Sequence, residues 1–156
     1  VSIDKVEKGD YQTLVQVWES SVRATHDFLP DAYIEELKPL ILKHYFDAVE
    51  LRCFKTKGGH IVGFIGVAGA NIEMLFVEAS FIGRGIGRQL LGFAINHFKA
   101  NQVDVNEQNP EAISFYERMG FERIGRSERD GQGKPYPLIH MKLNNTSGAG
   151  FGKAKA

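Results

Sequence analysis

Residues 83 to 87 read Gly-Arg-Gly-Ile-Gly and run directly into an apolar-periodic segment. Successive main-chain amides on such a turn, leading into the positive end of a helix, make an anion cradle, because glycine permits the tight turn and the close approach of phosphate oxygens. The ligand this implies carries phosphate. Glycine spacing separates the ligand classes. A dinucleotide fingerprint needs Gly-x-Gly-x-x-Gly, but residue 88 is Arg, and no Gly-Lys-Ser/Thr follows for a triphosphate loop. Arg84 and Arg88 place cationic side chains where a phosphate can be paired. The bland alternative is a plain strand-to-helix turn.

A second constellation lies downstream, Asn109-x-x-Ala112-x-x-Phe115-Tyr116-x-x-x-Gly120-Phe121. With the glycine loop and the strand before it, this resembles the GCN5-related N-acetyltransferase (GNAT) superfamily. The family pattern is an Arg/Gln-x-x-Gly-x-Gly/Ala loop for pyrophosphate followed by Asn-x-x-Ala-x-x-Phe-Tyr-x-x-x-Gly-Phe. The second motif is matched throughout. In the first, Gly85 and Gly87 stand where expected, and Ile82 takes the place of the family's Arg or Gln. Because the family holds pyrophosphate mainly through main-chain amides, binding by Ile82, Gly83, Arg84, Gly85, Ile86, Gly87 and Arg88 is expected to survive.

The resemblance implies acetyl-CoA as donor, with Leu75, Phe76 and Val77 lining the pantetheine arm through main-chain atoms and Asn109 binding the arm. It also implies Tyr116 as general acid beside the CoA sulfur. Each has a structural alternative: Leu75, Phe76 and Val77 as ordinary core, Asn109 as a helix N-cap, Tyr116 as an aromatic on a buried helix face. The reaction is amine acetylation. A lysine-like amine is neutral only about once in a few thousand molecules at pH 7, so deprotonation alone costs roughly 4.6 kcal/mol and a base is needed. Glu73, on the strand leading to the donor, and His26, between the first two helices, are the leading candidates. Glu107 is a third. The acceptor implied is a protein lysine, a protein N-terminus or a small amine, in a site shaped by the loop around His26 and by residues 130 to 137, where Tyr136 sits between two prolines. A GNAT-like module that binds acyl-CoA without turnover, as a sensor, is the competing reading, and a nucleotide-binding oxidoreductase is the third.

The elements that must position these groups follow from periodicity. Residues 11 to 25 and the stretch after Pro30 carry apolar residues at helical spacing, with Pro39 expected to bend or break the second helix. Residues 51 to 55, 61 to 69 and 71 to 77 read as three antiparallel strands. A helix over residues 87 to 99, a strand at 103 to 105, a helix opened by Pro110 and closed by Gly120, and strands at 121 to 125 and 138 to 143 complete the chain. The fold implied is α/β (α+β), the GNAT fold: a mixed, mostly antiparallel sheet flanked by about four helices. Residues 1 to 143 are expected to form that domain, and the Gly-, Ala- and Lys-rich residues 144 to 156 a disordered tail.

Composition narrows the setting. With 156 residues, 19 Lys plus Arg and 19 Asp plus Glu, the chain suits one domain and carries no excess charge to draw it to nucleic acid or anionic membrane. The single Cys53 forms no internal disulfide and reads as a buried structural thiol; no Cys/His spacing suggests a metal site. Cytoplasmic location and a monomer or homodimer are expected.

Overall fold

The computed structural model describes residues 1–144. Strand β1 (Ser2–Lys5) leads to helix α1 (Tyr11–Thr25) and helix α2 (Asp31–Leu40), followed by β2 (Glu50–Lys55), β3 (Ile61–Ala68) and β4 (Asn71–Val77). Helix α3 (Ile86–Phe98), β5 (Gln102–Asn106), α4 (Pro110–Arg118), β6 (Phe121–Ser127) and β7 (Leu138–Leu143) complete the order. The described strands form one seven-stranded sheet, β1-β2-β3-β4-β5-β7-β6. Only β4 and β5 pair in parallel. The mixed, mostly antiparallel sheet with four α-helices agrees with the expectation.

Alternation along the strands gives the sheet two apolar faces. Leu14, Val17, Trp18 and Val22 of α1 pack with Ile34, Cys53, Phe64 and Met74 on one face. Leu90, Leu91 and Ala94 of α3 pack with Ile65, Val103, Val105, Ile113, Ile139 and Met141 on the other. Gly63 lets α3 lie close to β3, since a Cβ there would stand 3.0 Å from Ile86 Cγ2 and 3.3 Å from the Phe76 carbonyl. Cys53 is buried, and its thiol pKa is raised by that burial. That fits a structural thiol rather than a nucleophile.

Three sequence expectations differ in detail. Strand β1 is too short to show a period and is absent from the sequence reading; it is recruited by pairing with β2. Pro39 does not end α2: the chain continues through a π-helical segment, Ile41–Tyr45, before turning into β2. Asn144, expected to begin the tail, is tied down through its N–H to the Gly120 carbonyl at 2.9 Å and its side chain to Glu122 at 3.0 Å. The rest of that expected tail lies outside the described residues.

Two irregularities set the shape of the sheet at its centre. On β3, Gly66 faces Met74 and the next residue, Val67, faces Ile72, so Glu73 is an extra residue on β4. This bulge lets Ile72 join the α3 face and Met74, two residues on, the α1 face. Strands β4 and β5 pair only at Asn71 with Gln102 and Ile72 with Val103, although both continue for several residues. Past Ile72 they part.

Candidate active site

The gap between β4 and β5 is the floor of a cleft of about 1280 Å³. Its phase is set by the neighbouring pair. The Glu78 N–H donates to the Val62 carbonyl at 2.8 Å, and Phe76 lies opposite Phe64. In an antiparallel ladder bonded pairs alternate, so the peptide groups of Phe76 are used by β3 and those of Leu75 and Val77 point into the gap. Unsatisfied main-chain donors and acceptors along an open strand edge suit an extended amide-bearing chain.

Beyond β4 the chain reaches the glycine turn. Gly83 and Gly85 adopt left-handed φ of 88° and 84°, and a Cβ at either would meet nothing within 4 Å. Glycine is needed here for its backbone angle, not for want of room. Gly85 is the N-cap of α3, so the first amides of that helix face outward beside the turn. Ile82, Gly83, Gly85, Ile86, Gly87 and Arg88 all line the cleft. Arg84 does not; its guanidinium lies over the Phe81 ring at 4.9 Å. Ile82, 46% exposed, has an apolar side chain, which leaves the main-chain amides and Arg88 as the groups of this turn suited to an anion.

Helix α4 supplies the opposite wall. Pro110 opens it, and the Asn109 side chain accepts from the Ala112 N–H at 3.3 Å, so the N-cap role is real while Asn109 also lines the cleft. Tyr116 is 6% exposed, with its ring against Phe115 at 5.1 Å and Phe121 at 5.4 Å. Among the described residues its hydroxyl has no protein hydrogen-bond partner, and the residue lines the cleft. Burial pushes its pKa well up, which keeps the phenol protonated at neutral pH.

On the α1 face, Ser21, Thr25 and His26 close the cleft. Thr25 Oγ1 donates to the Ser21 carbonyl at 2.8 Å and lies 2.7 Å from His26 Nδ1. A hydroxyl has one proton, so Thr25 must accept from Nδ1–H, and Nε2 is the bare nitrogen. Burial lowers the His26 pKa from 6.5 to about 4. Because the folded value lies below the unfolded one, the stability from keeping His26 neutral is complete above pH 6.5 and is lost as pH falls toward 4. Unfolding free energies from urea titrations at pH 7 and pH 5 are expected to differ by on the order of 2 kcal/mol from this group. His26→Gln flattens that part of the profile; an unchanged slope contradicts the assignment.

Glu73 also lines the cleft, exposed on its bulge and accepting from Asn71 Nδ2 at 2.6 Å. Glu107 stands outside the lining. It is engaged by Arg126 at 2.7 and 3.0 Å, which lowers its pKa, so it is not a free base. Sequence reasoning missed Asp104, which lines the cleft from β5 and lies 2.6 Å from His140 Nδ1. Period-2 alternation puts Asp104 and His140 each on an outward face, but the register that joins them is not a local signal.

The two segments expected to shape the acceptor side do meet. Tyr33 donates to Asp130 at 2.6 Å and stacks on Tyr136 with centroids 5.5 Å apart, and Phe28 contacts Tyr136 at 6.0 Å. Arg23 holds α2 to α1 through Glu19, Asp31 and Glu35 at 2.6 to 3.0 Å, fixing the turn that carries His26.

Comparison with known proteins agrees with this geometry. Residues 27–144 match the family model for the acetyltransferase (GNAT) domain. The chain is 37% identical over 141 residues to peptidyl-lysine N-acetyltransferase YjaB of Salmonella typhimurium, covering 90% of this chain and 97% of that protein. The solution structure of apo YjaB from Escherichia coli superimposes with a TM-score of 0.82 at 36% identity, covering 91% and 96% of the two chains. The fold is also that of PaiA N-acetyltransferase from Thermoplasma acidophilum, solved with coenzyme A, at a TM-score of 0.72 and 20% identity over 92% of this chain and 98% of that one. The open strand edge, the glycine turn and the Asn-to-Phe motif thus occur together for a shared reason: the chain belongs to the GNAT acetyltransferase family and is an acetyl-CoA-dependent N-acetyltransferase.

Proposed function

We propose that the enzyme acetylates the ε-amine of lysine in peptides or proteins by direct transfer, with the donor in the cleft between β4 and β5. The observation that carries this reading is the joint placement of the Leu75 and Val77 peptide groups and Tyr116 in one cleft that ends at the glycine turn. The similarity to proteins named peptidyl-lysine N-acetyltransferases supports the acceptor class.

Acetyl-CoA supplies an activated acetyl thioester. The amides of residues 83 to 87 and the start of α3 hold its diphosphate, with Arg88 adding charge. Main-chain groups of Leu75 and Val77 pair with the pantetheine amides and orient the acetyl carbonyl. Asn109 contributes a polar atom to the arm while capping α4. Tyr116 keeps its proton at neutral pH and donates a hydrogen bond to the sulfur as negative charge grows there. A thiol near ~8.5 is a stronger acid than this phenol, so Tyr116 stabilises the leaving thiolate by that hydrogen bond rather than by giving up its proton. His26, with Nε2 bare, accepts a hydrogen bond from the amine and aims its lone pair; Glu73, also in the cleft lining, is the second proton acceptor.

The same reading makes residues 1 to 143 a single catalytic domain. A buried lone thiol, and no helix among the described residues long and apolar enough to cross a membrane, fit a cytoplasmic setting. The test is thiol release with acetyl-CoA and a panel of peptides, followed by mass spectrometry. Acetylation at internal lysines is expected; transfer confined to N-termini or small polyamines overturns the acceptor assignment.

A further inference from the structure

Three polar side chains cross the C-terminal half of the sheet in a line. Asp104 on β5 lies directly opposite His140 on β7, with Oδ1 2.6 Å from Nδ1. His140 Nε2 is 2.6 Å from Ser127 Oγ on β6. Gly125, opposite His140, leaves room for the ring: a Cβ there would come within 3.4 Å of His140 Cδ2. Since Val103, Val105, Ile139 and Met141 belong to the α3 face, Asp104 and His140 project from the other face, the one α1 covers further along the sheet.

Composition alone would suggest a serine nucleophile with its histidine and aspartate. The order of the groups argues otherwise. Asp104 lines the cleft, whereas His140 and Ser127 do not, so the aspartate and not the serine is the member of this line that borders the cleft. Its position is also specific. Ile72 opposite Val103 is the last parallel pair, so Asp104 and the bulged Glu73 are the first residues past the point where the strands part. The cationic side chains lining the cleft, Arg88 and Arg118, come from α3 and α4 on the opposite face. Glu111 and Glu117 of α4 line that face too, so the helical side carries both signs, whereas the strands bring carboxylates alone to the lining, Glu73 and Asp104.

We propose that Asp104 is the docking group for the positively charged acceptor amine, and that His140, anchored by Ser127, is the positioning residue that holds its carboxylate toward the cleft. The ring donates Nδ1–H to Oδ1 and receives the Ser127 hydroxyl at Nε2, which leaves Oδ2 to meet the ammonium group. This deepens the acceptor assignment to lysine and rests on it.

The test uses two peptides identical except at the acceptor, one with lysine and one with an aminooxy side chain that is neutral at pH 7. Asp104→Asn is expected to raise KM for the lysine peptide ~10-fold with kcat within about threefold, as loss of binding shared by the ground and transition states requires. The neutral acceptor is expected to change less than about threefold. His140→Gln gives the same pattern more weakly and adds nothing in the Asp104→Asn background. Melting temperature and calorimetric acetyl-CoA affinity control for folding. Equal losses on both peptides, or none on either, overturn the docking role alone. So does stoichiometric labelling of Ser127 by a fluorophosphonate, which marks it as a nucleophile. A wild-type enzyme inactive on both peptides overturns the acceptor reading itself, and the docking role with it.

Discussion

Tyr116→Phe is expected to lower kcat about 100-fold, or ~2.7 kcal/mol of barrier, while calorimetric affinity for acetyl-CoA stays within about threefold. The ring sits between Phe115 and Phe121 and is retained by Phe, so packing is unchanged. The hydroxyl has no partner among the described protein groups, so nothing is left unsatisfied by its removal. In the proposed mechanism the effect therefore falls on the departing sulfur alone. A loss of donor binding equal to the loss in kcat points to a positioning role. An unchanged kcat removes Tyr116 from the chemistry.

The second large effect belongs to the glycine turn. At Gly85 a Cβ meets nothing, yet φ is 84°. Gly85→Val therefore acts through the backbone: a β-branched residue resists the left-handed conformation by roughly 1–2 kcal/mol or more, and the turn relaxes. Main-chain amides then leave their common focus. Affinity for acetyl-CoA is expected to fall at least ~30-fold, about 2 kcal/mol by calorimetry. Gly59 is the control, with the same φ of 84° and equally open space, in the turn between β2 and β3. Gly59→Val should cost similar stability and leave donor binding intact. Equal losses of binding in both variants contradict a phosphate-holding role for the turn.

The parts of this molecule readable in the sequence are those whose physics is local. A glycine run entering an apolar-periodic segment, Asn before Pro at a helix start, and Gly120 at a helix end each report on a few adjacent residues. The parts that are not readable depend on register. The bulge at Glu73, the parting of β4 and β5 after Ile72, and the meeting of Asp104 with His140 are relations between distant segments. No residue in either partner announces them. Arg84 shows the limit at side-chain scale: sequence places a cation in the loop, but stacking on Phe81 turns it away from the cleft.

The cleft draws its walls from both sides of the sheet, Tyr116 and Ile86 on one, Ser21 and His26 on the other. Lined from both faces, it offers one substrate the α3 and α4 side and the other the α1 side. In the proposed direct transfer, neither substrate has to vacate before the other arrives, and the acetyl group needs no temporary lodging on the protein. Spent coenzyme can back out the way it came while the modified partner departs from the far side. Under that mechanism one missing stretch of strand pairing frees both substrates from a fixed queue.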